Sequence, residues 1–145
     1  MAEKIWMENR IFLDTAFAIA LSVETDQHYD QAVKLAEQLE TENTILITTT
    51  AILLEIGNAL SKRRYRQAAK ELLLSLEQDD KVEIKTITDE FYQKGFELFC
   101  NRPDKDWGLI DCVSFVVMRE NNLSQALTTD EHFEQAGFVA LLKQN

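Results

Sequence analysis

Short apolar runs alternate with stretches of helical spacing from one end of the chain to the other. Ile11-Phe12-Leu13 is an unbroken apolar run stopped by Asp14, the pattern of a strand buried on both faces of a parallel sheet. Thr15 then stands as an N-cap for a helix over 16–22. In 26–39, Tyr29, Ala32, Val33, Ala36 and Leu39 recur at helical intervals, so an amphipathic helix is expected. The β-branched run 44–48 predicts a second strand. Thr49 or Thr50 caps a helix that carries Ile52, Leu53, Ile56, Ala59 and Leu60. A helix over 66–76 shows Ala69, Leu72, Leu73 and Leu76 on one side, and 82–87 alternates as a third strand. Thr88 opens a helix running through Phe91, Tyr92, Gly95, Phe96 and Phe99, and Pro103 ends that region. The most apolar helix spans 107–119, with Ile110, Val113, Phe115, Val116 and Val117. Residues 125–128 read as a fourth strand ended by Thr129 and Asp130, and 138–142 as a fifth.

Strands that alternate with helices throughout predict an α/β fold: a three-layer α/β/α sandwich with a central parallel sheet. The 145 residues suffice for one core, and 1–145 reads as a single domain. With Gly 4 and Pro 1, nothing suggests a linker or repeat. Two cysteines are too few for a disulfide framework. The apolar stretch 11–23 is interrupted by Asp14 and is too short for a spanning helix. A cytoplasmic protein with no membrane association is therefore expected.

In open parallel sheets, sites form beyond the carboxyl ends of the strands. Asp14 and Asp130 follow strands directly. Glu55 lies among Ala51, Ile52, Leu53, Leu54 and Ile56, and Asp111 lies between Ile110 and Cys112. Each is an acid in an apolar context, where an unpaired charge is costly. No Lys or Arg stands beside Asp14, Glu55 or Asp111 in sequence, so a hard divalent cation is the natural partner. The plainer readings are a helix cap or turn for Asp14 and Asp130, a solvent face or an arginine partner for Glu55, and a favourable helix-dipole position for Asp111. The net charge of −10 argues against a general nucleic-acid binder and against tight RNA binding, but not against a metal-dependent nuclease.

Four segments, in order, resemble the motifs of the PIN-domain family. They are Ile11-Phe12-Leu13-Asp14-Thr15, the Thr49 to Ile56 stretch around Glu55, Asp106 to Phe115 around Asp111, and Leu127-Thr128-Thr129-Asp130-Glu131-His132-Phe133. The resemblance covers nearly the whole chain. It implies a PIN-like fold and a Mg²⁺- or Mn²⁺-dependent endoribonuclease that hydrolyses RNA phosphodiester bonds. By matching position, Asp14, Glu55, Asp111 and Asp130 inherit the catalytic and metal-binding roles, with Asp106 as an extra acid and Thr129 as a hydroxyl ligand or water holder. Many small members are VapC-like toxins, often homodimeric and restrained by an antitoxin protein. A non-catalytic PIN scaffold that binds a protein or RNA partner is the alternative.

Lys62-Arg63-Arg64-Tyr65-Arg66 is the one dense basic run. It suits either RNA phosphates, with Tyr65 stacked on a base, or the end of a helix, where cations favour the dipole. His28 and His132 could serve as ligands or general bases, but far apart and without zinc spacing they are expected at the surface or in caps. Trp6, Phe96, Phe99, Trp107 and Phe115 are expected in the core or on a dimer face, and the apolar helices near Tyr29 and Leu53 could supply that face.

Overall fold

The computed structural model describes residues 4–143. Five strands form one sheet in the order β3-β2-β1-β4-β5: β1 (Arg10–Leu13), β2 (Ile45–Thr49), β3 (Val82–Lys85), β4 (Gln125–Leu127) and β5 (Val139–Ala140). Every pairing is parallel. Ile11, Phe12 and Leu13 are buried because β1 is the middle strand and is covered on both faces.

Seven helices connect the strands: α1 (Thr15–Ser22), α2 (Tyr29–Thr41), α3 (Thr50–Ala59), α4 (Arg63–Gln78), α5 (Asp89–Asn101), α6 (Leu109–Glu120) and α7 (Glu131–Gln135). A short 3-10 turn, Leu141–Lys143, follows β5. From β1 the chain steps outward to β2 and β3, then crosses back to β4 and β5 on the other side. Right-handed crossovers in opposite directions put their helices on opposite faces. Contacts follow suit: α1 packs with α2, α3 and α4, whereas α5 packs with α6, and α6 with α7. The sheet order reverses between β1 and β4, and that switch point opens a crevice at their carboxyl ends.

An aromatic cluster fixes the walls of this crevice. Phe133 of α7 lies 6.1 Å from Phe12 of β1 and 5.0 Å from Phe115 of α6, edge-on to the latter. Phe115 also meets Trp107 at 5.1 Å and Phe138 at 5.7 Å. Such pairs add to the area they bury. Here they tie the starts of α6 and α7 to the central strand. On its other side α6 meets α5 at Gly95, where a Cβ would come within 2.4 Å of Val113 Cγ2 and 3.0 Å of its Cα. Only glycine permits that approach.

Several expectations need correction. Asp14, not Thr15, is the N-cap residue of α1. The third strand stops at Lys85, and the last apolar stretch gives only two strand residues before turning. The basic run does not end a helix: α3 ends at Ala59, Lys62 is the N-cap of α4, and Arg63, Arg64 and Arg66 occupy its first turn. Of the aromatics expected in the core or on a dimer face, Trp107 and Phe115 are in the core, whereas Trp6, Phe96 and Phe99 are exposed, which leaves only the dimer-face reading for them. No helix among the described residues is long and apolar enough to cross a membrane.

Candidate metal centre

The register of the two central strands builds the first half of the site. Leu13 pairs with Leu127, so the residues that follow, Asp14 and Thr128, emerge side by side. Thr128 Oγ1 donates to Asp14 Oδ2 at 2.7 Å. Although Asp14 occupies the N-cap position of α1, its side chain makes no capping bond there. The simple cap reading therefore does not account for this carboxylate. It is 8% exposed, and burial pushes its pKa from 3.8 up to about 7. The Thr128 hydroxyl and the Thr15 backbone pull it down, while the charges of Glu55 and Asp111 push it up.

Glu55 comes from α3, the helix entered through Thr49, whose hydroxyl accepts the Ile52 N–H at 3.2 Å. Thr15 Oγ1, in the first turn of α1, donates to Glu55 Oε1 at 2.5 Å. One short hydroxyl bridge thus holds the glutamate beside the strand that presents Asp14.

The second half of the site comes from α6 and α7. Asp111 lies in the first turn of α6, and its Oδ2 accepts the Gly108 N–H at 3.0 Å. Asp130 is the N-cap residue of α7, and its Oδ1 accepts the His132 N–H at 2.9 Å. Both acids therefore serve their helix starts, as the plainer readings held. That leaves their remaining oxygen lone pairs for another partner. His132 Nδ1 stands 3.1 Å from Asp111 Oδ2 and 3.4 Å from Asp130 Oδ1. One donor atom from each of Asp111, Asp130 and His132 lies within 4.8 Å of the others, a spacing that fits a single ion. Thr128 links the two halves, since its Oγ1 also accepts the Asp130 N–H at 3.0 Å.

Asp14 is thus in electrostatic contact with Glu55 and Asp111, and joined to Asp130 through Thr128. Asp106 is exposed, and no hydrogen bond or ion pair among the described residues ties it to these acids. Thr129 is half-buried and makes no side-chain bond to them; the hydroxyl in the cluster belongs to its neighbour Thr128. Sequence reading gave Thr15 only a capping role, and for His132 it favoured a surface or capping role over a ligand. For Thr128 the signal was present: it continues the buried run of β4, where a polar side chain needs a partner.

The donor set suits a hard divalent cation: several carboxylate oxygens, a hydroxyl and one imidazole. No Lys or Arg forms an ion pair with Asp14, Glu55, Asp111 or Asp130 among the described residues. Burial is the main cause of the raised Asp14 carboxyl, and the charges of Glu55 and Asp111 add to it.

Comparison with known proteins gives the family and the fold. A family model described as PIN domain matches residues 11–139. The 23S rRNA-specific endonuclease VapC20 of Mycobacterium tuberculosis, known from two strains, is 27% identical over 132 residues, spanning 89% of this chain and 95% of that protein. The crystal structure of M. tuberculosis VapC20, described as a sarcin-ricin loop cleaving toxin, superposes with a TM-score of 0.78 at 25% identity, covering 89% of this chain and 96% of that one.

Proposed function

The chain belongs to the PIN domain family, and from that premise we propose that it is a metal-dependent endoribonuclease acting as the toxin of a toxin–antitoxin pair in the cytoplasm. The observation that carries this reading is the meeting of acids from four separate segments at the switch point of the sheet. Nothing about folding alone calls for like charges to gather around a buried carboxylate.

In this reading Asp14 and Asp111 are direct ligands of Mg²⁺ or Mn²⁺. Asp130 is a ligand directly or through water, and Glu55 is a ligand or the base that orients water. When bound, such an ion supplies Lewis acidity, making water more acidic and offsetting charge on phosphate oxygens. The protein's own groups do the positioning. Thr128 fixes one Asp14 oxygen. Thr15 fixes one Glu55 oxygen and leaves its partner for a water or ligand. The aromatic cluster keeps α6 and α7 from drifting, which holds Asp111 and Asp130 in place.

The substrate of this reading is a single-stranded or loop segment of RNA, and the sarcin-ricin loop cut by VapC20 is the first to test. An antitoxin protein and a second copy of the chain complete the assembly. Leu54, 71% exposed on α3 beside Leu53, is the apolar surface such a copy would cover. Incubation of the purified protein with a sarcin-ricin stem-loop and Mn²⁺ should give internal cleavage, abolished by EDTA and by Asp14→Asn, with no turnover of a small phosphomonoester. A non-catalytic scaffold would give neither cleavage nor stabilisation by Mn²⁺, and that pair of results would end the nuclease reading.

A further inference from the structure

His132 has no task in the reading just given, yet it stands among the acids with a fixed orientation. Its backbone N–H is held by Asp130 Oδ1 at 2.9 Å, and the next residue, Phe133, is locked between the rings of Phe12 and Phe115. The imidazole therefore points where the first turn of α7 aims it. Its Nδ1 lies 3.1 Å from Asp111 Oδ2 and 3.4 Å from Asp130 Oδ1. Neighbouring donors around a six-coordinate ion with bonds near 2.1 Å stand about 3 Å apart. The two distances to the ring nitrogen are close to that spacing, and one donor atom from each of the three residues lies within 4.8 Å of the others, near enough to share one ion. In the metal-free chain the Nδ1–Asp111 separation is that of a hydrogen bond; ligation through Nδ1 would replace it and leave the ring proton on Nε2.

We infer that His132 is itself a metal ligand through Nδ1, completing a mixed nitrogen–oxygen set with Asp111 and Asp130, and that this set favours Mn²⁺ over Mg²⁺. The inference rests on the metal-site reading and deepens it. Mg²⁺ prefers all-oxygen shells and gives up its waters reluctantly, whereas imidazole is a good ligand for first-row transition ions. One nitrogen in an otherwise carboxylate site therefore tilts the choice of ion. The acidic quartet alone would leave that choice open.

The chain has two histidines, which makes a spectroscopic test clean. His28 sits at the start of α2, outside the acid cluster. Protein labelled with ¹⁵N-histidine and loaded with Mn²⁺ is measured by pulsed EPR, beside unlabelled protein. Nitrogen coupling to the bound ion is expected in wild type and in His28→Gln, changing with the isotope, and absent in His132→Gln. Titration should show Mn²⁺ affinity falling by more than about tenfold in His132→Gln, with Mg²⁺ affinity much less affected. Urea unfolding in EDTA checks that the variant is folded, and the labelled wild type reads the coupling without any substitution. Bound Mn²⁺ with no nitrogen coupling, in a protein that still cleaves RNA, overturns the assignment of His132 and leaves the metal site standing. A wild type that binds neither ion overturns both.

Discussion

Asp14 is the residue on which burial and function pull in opposite directions. Its carboxyl is raised from 3.8 to about 7, so between these values the folded chain keeps a proton that the unfolded chain has lost. Stability of the metal-free protein must then fall as pH rises from about 4 to about 7, and level off above. The penalty at pH 8 is on the order of a few kcal/mol. Asp14→Asn keeps an oxygen for Thr128 and removes the charge. In EDTA it should match wild type near pH 4 and exceed it at pH 8, as read by urea unfolding at both values. The same variant should lose RNA cleavage by at least about a hundredfold, the scale of losing a residue that acts in the transition state. A variant that is less stable at pH 8 and still responds to Mn²⁺ would show that Asp14 is structural. At this scale the sequence was informative about acids and poor about their supports. An aspartate that breaks an apolar run is visible in one dimension. The hydroxyls of Thr15 and Thr128 gain their roles only from neighbours 40 and 114 positions away.

Helices α5 and α6 show how an element far from the chemistry sets its geometry. Gly95 lets α5 sit against the backbone of Val113, two residues beyond Asp111. Gly95→Ala gains helix propensity, but its Cβ meets Val113 Cα and N at 3.0 and 3.1 Å, backbone atoms that cannot rotate away. A net loss of about 1–3 kcal/mol is expected, measured by urea unfolding, together with weaker Mn²⁺ binding as α6 shifts. Ser114 gives the opposite case. Its Oγ is buried without a hydrogen-bond partner, so Ser114→Ala should be neutral or stabilising by up to about 1 kcal/mol. Periodicity located these helices because a buried stripe repeats every three to four residues. It did not reveal that α6 is covered on two sides, since packing against both the sheet and α5 requires the topology. The basic run exposed a similar gap. Its position relative to a helix end depended on where α3 stopped, and no proline or glycine marks that boundary.

For the molecule as a whole, electrostatics governs what it can bind. The net charge is −10, yet Lys62, Arg63, Arg64 and Arg66 are exposed at the start of α4 and form no ion pair among the described residues. At that end of a helix the dipole disfavours them. Tyr65 packs against the core with Arg64 over its ring at 4.8 Å, so it is not free to stack on a base. Replacing Arg63, Arg64 and Arg66 by Ala should weaken binding of RNA to the Asp14→Asn protein and flatten its dependence on salt, by about 0.7 in log–log slope per phosphate contact removed. Filter binding at several salt concentrations measures this, and an unchanged slope would show that these cations do not meet RNA. Thermal unfolding should rise on adding Mn²⁺ in wild type and stay fixed in Asp14→Asn, because an ion that binds only the folded state stabilises it.

Except for the five-residue α7 (Glu131–Gln135), too short to show a period, the order of strands and helices was written into the chain, since alternation and helical spacing are local properties that each segment carries alone. So was the presence of four acids in apolar surroundings, because the cost of burying charge marks each of them where it stands. The sequence did not contain the meeting of those acids. That depended on the parallel register of Leu13 with Leu127, on the reversal of strand order beside β1, and on the aromatic cluster that sets α6 and α7 against it. Distance in space is decided by packing between segments, and packing placed His132 and Thr128 beside acids that local pattern alone left unconnected.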